Sequence, residues 1–124
     1  MQVGSGYSET VLRHFREPAN RERLSNPSVS AWGINTLCGD RLRLELIIDD
    51  GIVSRAAFSG DGCAVSVAAG SLLTQSIVGV PLRDAAAMDE QALLDMLDCE
   101  LDDTRRKCAL LVLHALREIG LDDR

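Results

Sequence analysis

Aromatic residues are scarce in this chain: one tryptophan, one tyrosine and two phenylalanines make up 3% of its 124 residues. The core must therefore be aliphatic, and aliphatic side chains are plentiful, since 46% of the sequence is hydrophobic. That fraction is ordinary for one domain of this length, which needs no disulfide staples. We predict a single domain over residues 1–124, with residues 1–6 as a flexible N-terminus.

Basic residues are outnumbered, with 13 Lys and Arg against 19 Asp and Glu, for a net charge of −6. Nucleic-acid binding needs clustered cations to neutralise phosphates, so we expect no nucleic-acid partner. No apolar run is long enough to cross a bilayer, so we expect no membrane partner. The first residues lack the basic stretch and apolar stretch of a secretory signal, which predicts a cytoplasmic location.

No two cysteines form a Cys-x-x-Cys pair. Their wide spacing and the missing export signal predict reduced thiols rather than disulfides. In a cytosolic protein, separated thiols are consistent with metal binding or sulfur chemistry, but their spacing alone establishes neither. The four are Cys38, Cys63, Cys99 and Cys108.

Cys38-Gly39-Asp40 lies at the entrance to a predicted strand. Side chains two apart in extended backbone share a face, so the thiol and the carboxylate would point the same way. Gly39 permits another group to approach the backbone closely. A thiolate beside a carboxylate is half of a metal site. It is equally a structural cysteine beside a solvated acid, and the tripeptide alone leaves both open.

Hydrophobic patterning predicts an α+β fold. Arg41–Leu46 alternates strictly between polar and apolar residues, as a half-buried strand does. Asp50-Gly51 matches a tight hairpin turn. We therefore expect a three-stranded antiparallel sheet with helices packed mainly on one face. The predicted strands cover 29–34, 41–46 and 52–58; the predicted helices cover 8–17, 64–78, 82–87, 89–97 and 104–119, the last capped by Gly120.

Two more cysteines lie where predicted helices begin. Cys63 precedes the helix over 64–78, where the helix dipole and free N–H groups favour a thiolate. Cys108 lies near the start of the helix over 104–119, a position that would lower the pKa of its thiol. Cys99 stands between two acidic residues that disfavour a thiolate, so we interpret it as a bystander.

Both histidines are predicted to have no part in a metal site. His14 falls inside the first predicted helix, where a surface or hydrogen-bonded role is expected. His114 follows Cys108 by six residues, which places it about 120° away around a helix.

Several separated strings together resemble the U-type iron–sulfur cluster assembly family (IscU, SufU and the N-terminal domain of NifU). Each string is weak alone, but their order and spacing within one small domain make the resemblance specific. It covers roughly residues 7–120 and implies a SufE/NifU-like fold. The strings are Val11 to Asn20; Cys38-Gly39-Asp40; Phe58 to Cys63, followed by Ser66, Ala68 and Ser71; and Arg105 to Ala109.

The resemblance implies a site made of Cys38, Asp40, Cys63 and Cys108. Thiolates bind iron in iron–sulfur clusters and also bind zinc. The family's cargo is a transient [2Fe–2S] cluster, and Zn²⁺ is the expected stabilising metal of the isolated protein. A carboxylate is a more labile ligand than a thiolate, so Asp40 suits a cluster that must be handed on.

This chain departs from both branches of the family. IscU-type proteins carry His immediately before the third cysteine, where this chain has Lys107. They also carry a Leu-Pro-Pro-Val-Lys string just upstream, where this chain has Leu101 to Arg105. Docking of the dedicated chaperone is therefore not implied. Lys107 resembles the SufU branch, but the SufU insertion before the third cysteine is absent. The usual proline two residues before the first cysteine is Thr36.

Two functions follow from the resemblance. In the first, a cysteine desulfurase of the SufS or IscS type delivers sulfur to a scaffold that assembles a cluster and passes it to apo-proteins. In the second, a zinc-dependent sulfurtransferase takes persulfide sulfur from a SufS-type desulfurase, with Cys108 as the candidate acceptor. Lys107 and Arg105 are candidate charge partners of the site or of an incoming persulfide. We favour the scaffold.

Overall fold

The computed structural model describes residues 7–122, so the predicted flexible segment at residues 1–6 lies outside the described part. That part contains one three-stranded sheet and six helices. In chain order the elements are α1 (Glu9–Arg16), β1 (Val29–Asn35), β2 (Asp40–Asp49), β3 (Ile52–Asp61), α2 (Ala64–Ile77), α3 (Leu82–Ala86), α4 (Glu90–Leu97), α5 (Asp103–Ala109) and α6 (Leu111–Asp122). No helix in residues 7–122 is both long and apolar enough to span a bilayer.

The sheet is an antiparallel meander in the order β1-β2-β3, as the sequence predicted. Asp50 and Gly51 join β2 to β3, and both have positive φ, 57° and 78°. A two-residue hairpin turn of this kind follows the twist of the strands it joins, and it favours Asp-Gly. The turn therefore fixes the pairing of β2 with β3.

One face of the sheet carries the core. The alternation in β2 buries Leu42, Leu44 and Leu46 completely on that face, and α2 and α6 pack against the sheet. Contact is tightest at Gly33 in β1, where a Cβ would lie 2.2 Å from the carbonyl oxygen of Leu111. Only glycine permits this approach of strand to helix. The predicted fold class is confirmed.

The opposite face of the sheet holds a buried charge that the alternation of β2 did not predict. Glu45 is only 1% exposed. Its Oε1 accepts hydrogen bonds from the Leu24 N–H at 3.0 Å and from Arg23 at 3.3 Å, and its Oε2 lies 3.5 Å from Arg43. These contacts tie the loop between α1 and β1 to the sheet, which is how Glu45 comes to be covered.

The predicted single helix over 104–119 is wrong, because the chain forms two helices joined at Leu110. The Leu110 backbone has φ −92° and ψ −1°, which ends α5. The break allows α5 to pack on α2 while α6 packs on β1. Gly120 lies within α6 rather than capping it. A Cβ there would lie 2.5 Å from the Cβ of Ala86, so this glycine allows α3 to pack closely on α6.

Candidate metal centre

Three of the predicted ligands meet at one end of the sheet. A carboxylate oxygen of Asp40 and the sulfurs of Cys38 and Cys108 all lie within 4.8 Å of one another. The two sulfurs are 3.5 Å apart. Cys38 belongs to the turn between β1 and β2, and Gly39 follows it with φ 80°, a left-handed conformation that glycine adopts without strain. The turn thus presents its thiol beside the first residue of β2.

Asp40 is nearly buried and firmly held. The residue is 8% exposed. Its Oδ2 accepts a hydrogen bond from the Ser66 hydroxyl at 2.7 Å and another from the Cys63 N–H at 3.1 Å. Burial by itself would raise the pKa of Asp40, but these hydrogen bonds outweigh it and lower the pKa below the ordinary value. Asp40 is therefore a carboxylate at neutral pH, the form that binds a cation.

Cys63 lies beside the group without joining it. It is the N-cap residue of α2, as predicted. Its backbone N–H binds Asp40, while its sulfur lies 3.7 Å from the Ser66 hydroxyl. The structure therefore brings Cys38, Asp40 and Cys108 together and places Cys63 next to them through Asp40.

The predicted environment of Cys108 is wrong. It is the penultimate residue of α5, far from the helix N-terminus, and it is 2% exposed. Burial raises the pKa of its thiol, and the hydrogen bond with Cys38 and the nearby Cys63 and Asp40 raise it further. Without a metal, Cys108 is therefore a protonated thiol. A thiol must lose its proton to bind a metal, so metal binding at this site releases protons.

Arg105 and Lys107 differ in their relation to the site, although both are exposed. The Arg105 guanidinium stacks 5.6 Å above the Tyr7 ring. The Tyr7 phenol and a hydrogen bond with the Cys63 thiol raise the pKa of Arg105. Arg105 thus brings positive charge to the thiols, whereas Lys107 has no ion pair within residues 7–122.

The remaining cysteine and the two histidines lie outside the ligand group. Cys99 is half-buried on the chain segment that follows α4. His14 Nδ1 lies 2.7 Å from the Ser71 hydroxyl, which confirms that it is hydrogen-bonded within the fold. His114 lies on α6, 3.8 Å from Glu90.

The donor set fits a thiophilic metal. Tetrahedral zinc, with Zn–S bonds of about 2.3 Å, separates two thiolate sulfurs by about 3.8 Å. The distance between the Cys38 and Cys108 sulfurs, 3.5 Å, is close to this value. Thiolates also hold the iron of iron–sulfur clusters. The residues present therefore fit either zinc or iron.

Two residues at the site were not singled out by sequence reasoning. No sequence pattern indicated a role for Tyr7, which lies before α1 and contacts Arg105. Ser66 was noted only as part of a matching string. Its position three residues after Cys63 was a usable signal, because a side chain in the first turn of a helix lies near the helix N-terminus.

Comparison with known proteins identifies the family. Residues 6–120 match the family described as the NifU-like N terminal domain, so the chain belongs to that family. It is 36% identical over 98 residues to SufU of Bacillus subtilis (strain 168), which is named a zinc-dependent sulfurtransferase. The aligned residues make up 79% of this chain and 66% of that protein. It is 32% identical over 116 residues to IscU of Haemophilus influenzae, named an iron–sulfur cluster assembly scaffold protein, covering 90% of each.

The match to some relatives is partial. IscU of Thermotoga maritima is 35% identical over 86 residues, which is 69% of this chain and 61% of that protein. The chain therefore spans less than two thirds of the length of this relative and of the B. subtilis SufU.

Solved structures share the fold. FiSufU from Fervidobacterium islandicum AW-1 superposes with a TM-score of 0.80 at 24% identity, over 92% of this chain and 96% of that one. The N-terminal part of a NifU-like protein from Brucella abortus gives 0.75 at 19% identity, over 94% and 95%.

Proposed function

We propose that this protein is an iron–sulfur cluster assembly scaffold. It receives sulfur from a cysteine desulfurase, assembles a transient [2Fe–2S] cluster and transfers it to apo-proteins. The observation that carries the proposal is the gathering of Cys38, Asp40 and Cys108 within 4.8 Å, with Cys63 hydrogen-bonded to the same carboxylate. These four residues are the proposed ligands. The IscU relatives, two of them at 32% and 35% identity, support the same function.

Sulfur delivery requires an accessible thiol. Cys38 is exposed, whereas Cys108 is buried, so we assign the first encounter with a donor to Cys38. Its thiolate attacks the terminal sulfur of the desulfurase persulfide, a new S–S bond forms, and the donor cysteine leaves as a thiolate. The guanidinium of Arg105 stabilises the negative charge held among these sulfurs. Cys108 stays a candidate acceptor that would need to lose its proton first.

The second candidate function is that of a zinc-dependent sulfurtransferase. The Cys38–Cys108 sulfur spacing, which suits tetrahedral zinc, favours it, as does the resemblance to the B. subtilis SufU. In this case zinc is held by Cys38, Asp40, Cys63 and Cys108, and its chemistry is to keep the thiols deprotonated at neutral pH. The protein would then pass sulfur on without building a cluster.

The surface beside Cys38 supports docking of a desulfurase. Leu37, which precedes Cys38 in the chain, is 83% exposed, and Ile34 at the end of β1 is 55% exposed. On the same face of the sheet as Ile34, Arg41 lies 4.8 Å from the ring of the exposed Trp32. Tryptophan and arginine are enriched among residues that contribute most to protein–protein binding. We assign this surface to the desulfurase.

The proposed location is the cytoplasm, because Cys38, Cys63 and Cys108 are free thiols and the cytosol keeps thiols reduced.

One pair of measurements on freshly purified protein separates the two functions. The first is metal content, followed by reconstitution with ferrous iron and sulfide and transfer of the chromophore to apo-ferredoxin. The second is cysteine turnover by a SufS-type desulfurase with and without this protein. A chromophore that is formed and passed on supports the scaffold. Tightly bound zinc with strong stimulation of turnover, and no transferable chromophore, overturns it in favour of the sulfurtransferase.

A further inference from the structure

Ser66 touches three of the four proposed ligand residues. It is completely buried in the first turn of α2. Its hydroxyl oxygen lies 2.7 Å from Asp40 Oδ2, 3.2 Å from the carbonyl oxygen of Cys108 and 3.7 Å from the Cys63 sulfur. The proposed chemistry nonetheless gives Ser66 no role.

The Ser66 proton has a preferred acceptor. A serine hydroxyl carries one proton, for which Asp40 Oδ2 and the Cys108 carbonyl compete. The carboxylate is charged and closer, so it takes the stronger hydrogen bond. The Cys63 N–H donates to the same Oδ2. Two donors that are not metal-binding atoms therefore engage Oδ2 of Asp40. The thiols of Cys108 and Cys63 also hydrogen-bond to this carboxylate, and they lose their protons when a metal binds.

We propose that Ser66 is a positioning residue that holds Asp40 as a one-oxygen metal ligand. The inference rests on the proposed metal site. Ser66 does not itself bind the metal; it fixes the carboxylate, and through the Cys108 carbonyl it also connects α2 to α5. Hydrogen-bond partners of metal ligands orient the ligands, and their removal typically weakens metal binding about 10–100-fold.

The chain offers a matched control on the same helix. Ser71 also lies in α2 and is also completely buried, and its hydroxyl contacts the Ala19 N–H and His14. Ser66→Ala and Ser71→Ala therefore remove the same atom from equally buried positions. Only the first change removes a partner of Asp40.

The test measures Zn²⁺ affinity by chelator competition and the absorption spectrum of the Co²⁺-loaded protein. Ser66→Ala is expected to weaken Zn²⁺ binding about 10–100-fold and to alter the Co²⁺ ligand-field bands. Ser71→Ala is expected to leave both unchanged, and Ser66→Thr, which keeps the hydroxyl, to restore affinity. If Ser66→Ala does not fold, Ser66→Thr and Ser66→Val provide a second comparison, because these two side chains have the same shape and only Thr carries a hydroxyl.

A double-mutant cycle tests whether Ser66 acts through Asp40. In an Asp40→Ala background, Ser66→Ala should cause no further loss of Zn²⁺ affinity. Equal losses from Ser66→Ala with and without Asp40, or equal losses from Ser66→Ala and Ser71→Ala, overturn the inference. If the wild-type protein binds neither Zn²⁺ nor Co²⁺, the proposed function and the inference both fail. If it binds both metals and Ser66→Ala changes nothing, only the inference fails.

Discussion

The thiols of Cys38 and Cys108 lie 3.5 Å apart, although 70 positions separate them in the sequence. One sits in an exposed turn and the other is buried near the end of α5. The pair therefore joins an accessible sulfur to one that solvent does not reach. The same proximity that suits a shared metal also makes the pair sensitive to oxidation.

Oxidation of the metal-free protein should link Cys38 to Cys108. Diamide takes two electrons and two protons from a pair of neighbouring thiols, and these two sulfurs are already in contact. Zinc bound to the same thiolates should protect them. Peptide mapping by mass spectrometry under non-reducing conditions identifies the linked pair. A Cys38→Ser variant should form no such link, and a dominant Cys63–Cys108 link would contradict the arrangement.

Asp40→Ala should slow transfer of a reconstituted cluster to apo-ferredoxin. The carboxylate is the most labile of the four proposed ligands, so its removal leaves only thiolate ligands from this protein to be exchanged. A decrease of about tenfold in transfer rate, followed by circular dichroism in the visible range, is the expected size. Asp61→Ala removes an exposed carboxylate at the end of β3 and should transfer normally. Transfer from Asp40→Ala at the wild-type rate would rule out this role.

Gly33→Ala should destabilise the fold and loosen the site together. The new Cβ would lie 2.2 Å from the backbone oxygen of Leu111, which cannot move independently of α6. Overpacking of this kind costs about 1–3 kcal/mol. Because Leu111 follows Cys108 closely, Zn²⁺ affinity should fall as well. Urea denaturation measures the first effect, and Ser30→Ala, on the exposed face of β1, should shift stability by less than about 0.5 kcal/mol.

His14 should make stability depend on pH between neutral and mildly acidic conditions. The Ser71 hydroxyl accepts the Ala19 N–H and lies 2.7 Å from His14 Nδ1, which in a neutral imidazole can accept the Ser71 proton. Burial, and then the charge of Arg13, lower the pKa of His14 below its ordinary value of 6.5. The unfolded chain therefore takes up the proton first as the pH falls.

The stabilising contribution of His14 is consequently complete above about pH 6.5 and is lost as the pH falls through the pKa of the folded protein. Urea denaturation at pH 7.5 and at pH 5.5 measures the loss. His14→Asn keeps an acceptor for Ser71 but does not titrate, so its pH dependence should be weaker than that of the wild type. If the wild type and His14→Asn lost the same stability between pH 7.5 and pH 5.5, groups other than His14 would be responsible for the pH dependence.

Local patterns were sufficient to predict most of the fold. The alternation of polar and apolar residues predicted strand β2, and Asp50-Gly51 predicted the hairpin turn that follows it; the structure contains both. The break at Leu110 could not be predicted, because its sequence is compatible with a continuous helix and the need to turn arises from packing on two different elements. Glu45 shows the same limit, since its burial depends on a loop that is distant in sequence.

The structure brings three of the four predicted ligand residues together, but the sequence did not predict their environment. Cys38, Asp40 and Cys108 lie together, as the resemblance implied. The burial of Cys108 and the direction of its pKa shift were missed, because both depend on where α5 ends. The spacing from Cys63 indicated that Ser66 lies near the N-terminus of α2, but its contacts with Asp40 and Cys108 could not be predicted, for a similar reason. These contacts join two helices and a strand, and a local sequence pattern does not predict contacts between separate elements.

The proposed ligands come from a turn and the first residue of β2, from the N-terminus of α2 and from the end of α5, and these segments meet only when the chain is folded. Whatever binds there favours the folded state by its own binding free energy. Loading a cluster therefore stabilises the protein, and delivery to an acceptor withdraws that stabilisation. The melting temperature should rise and fall with the cargo, and the protein that has just delivered its cluster is the form most exposed to unfolding and proteolysis.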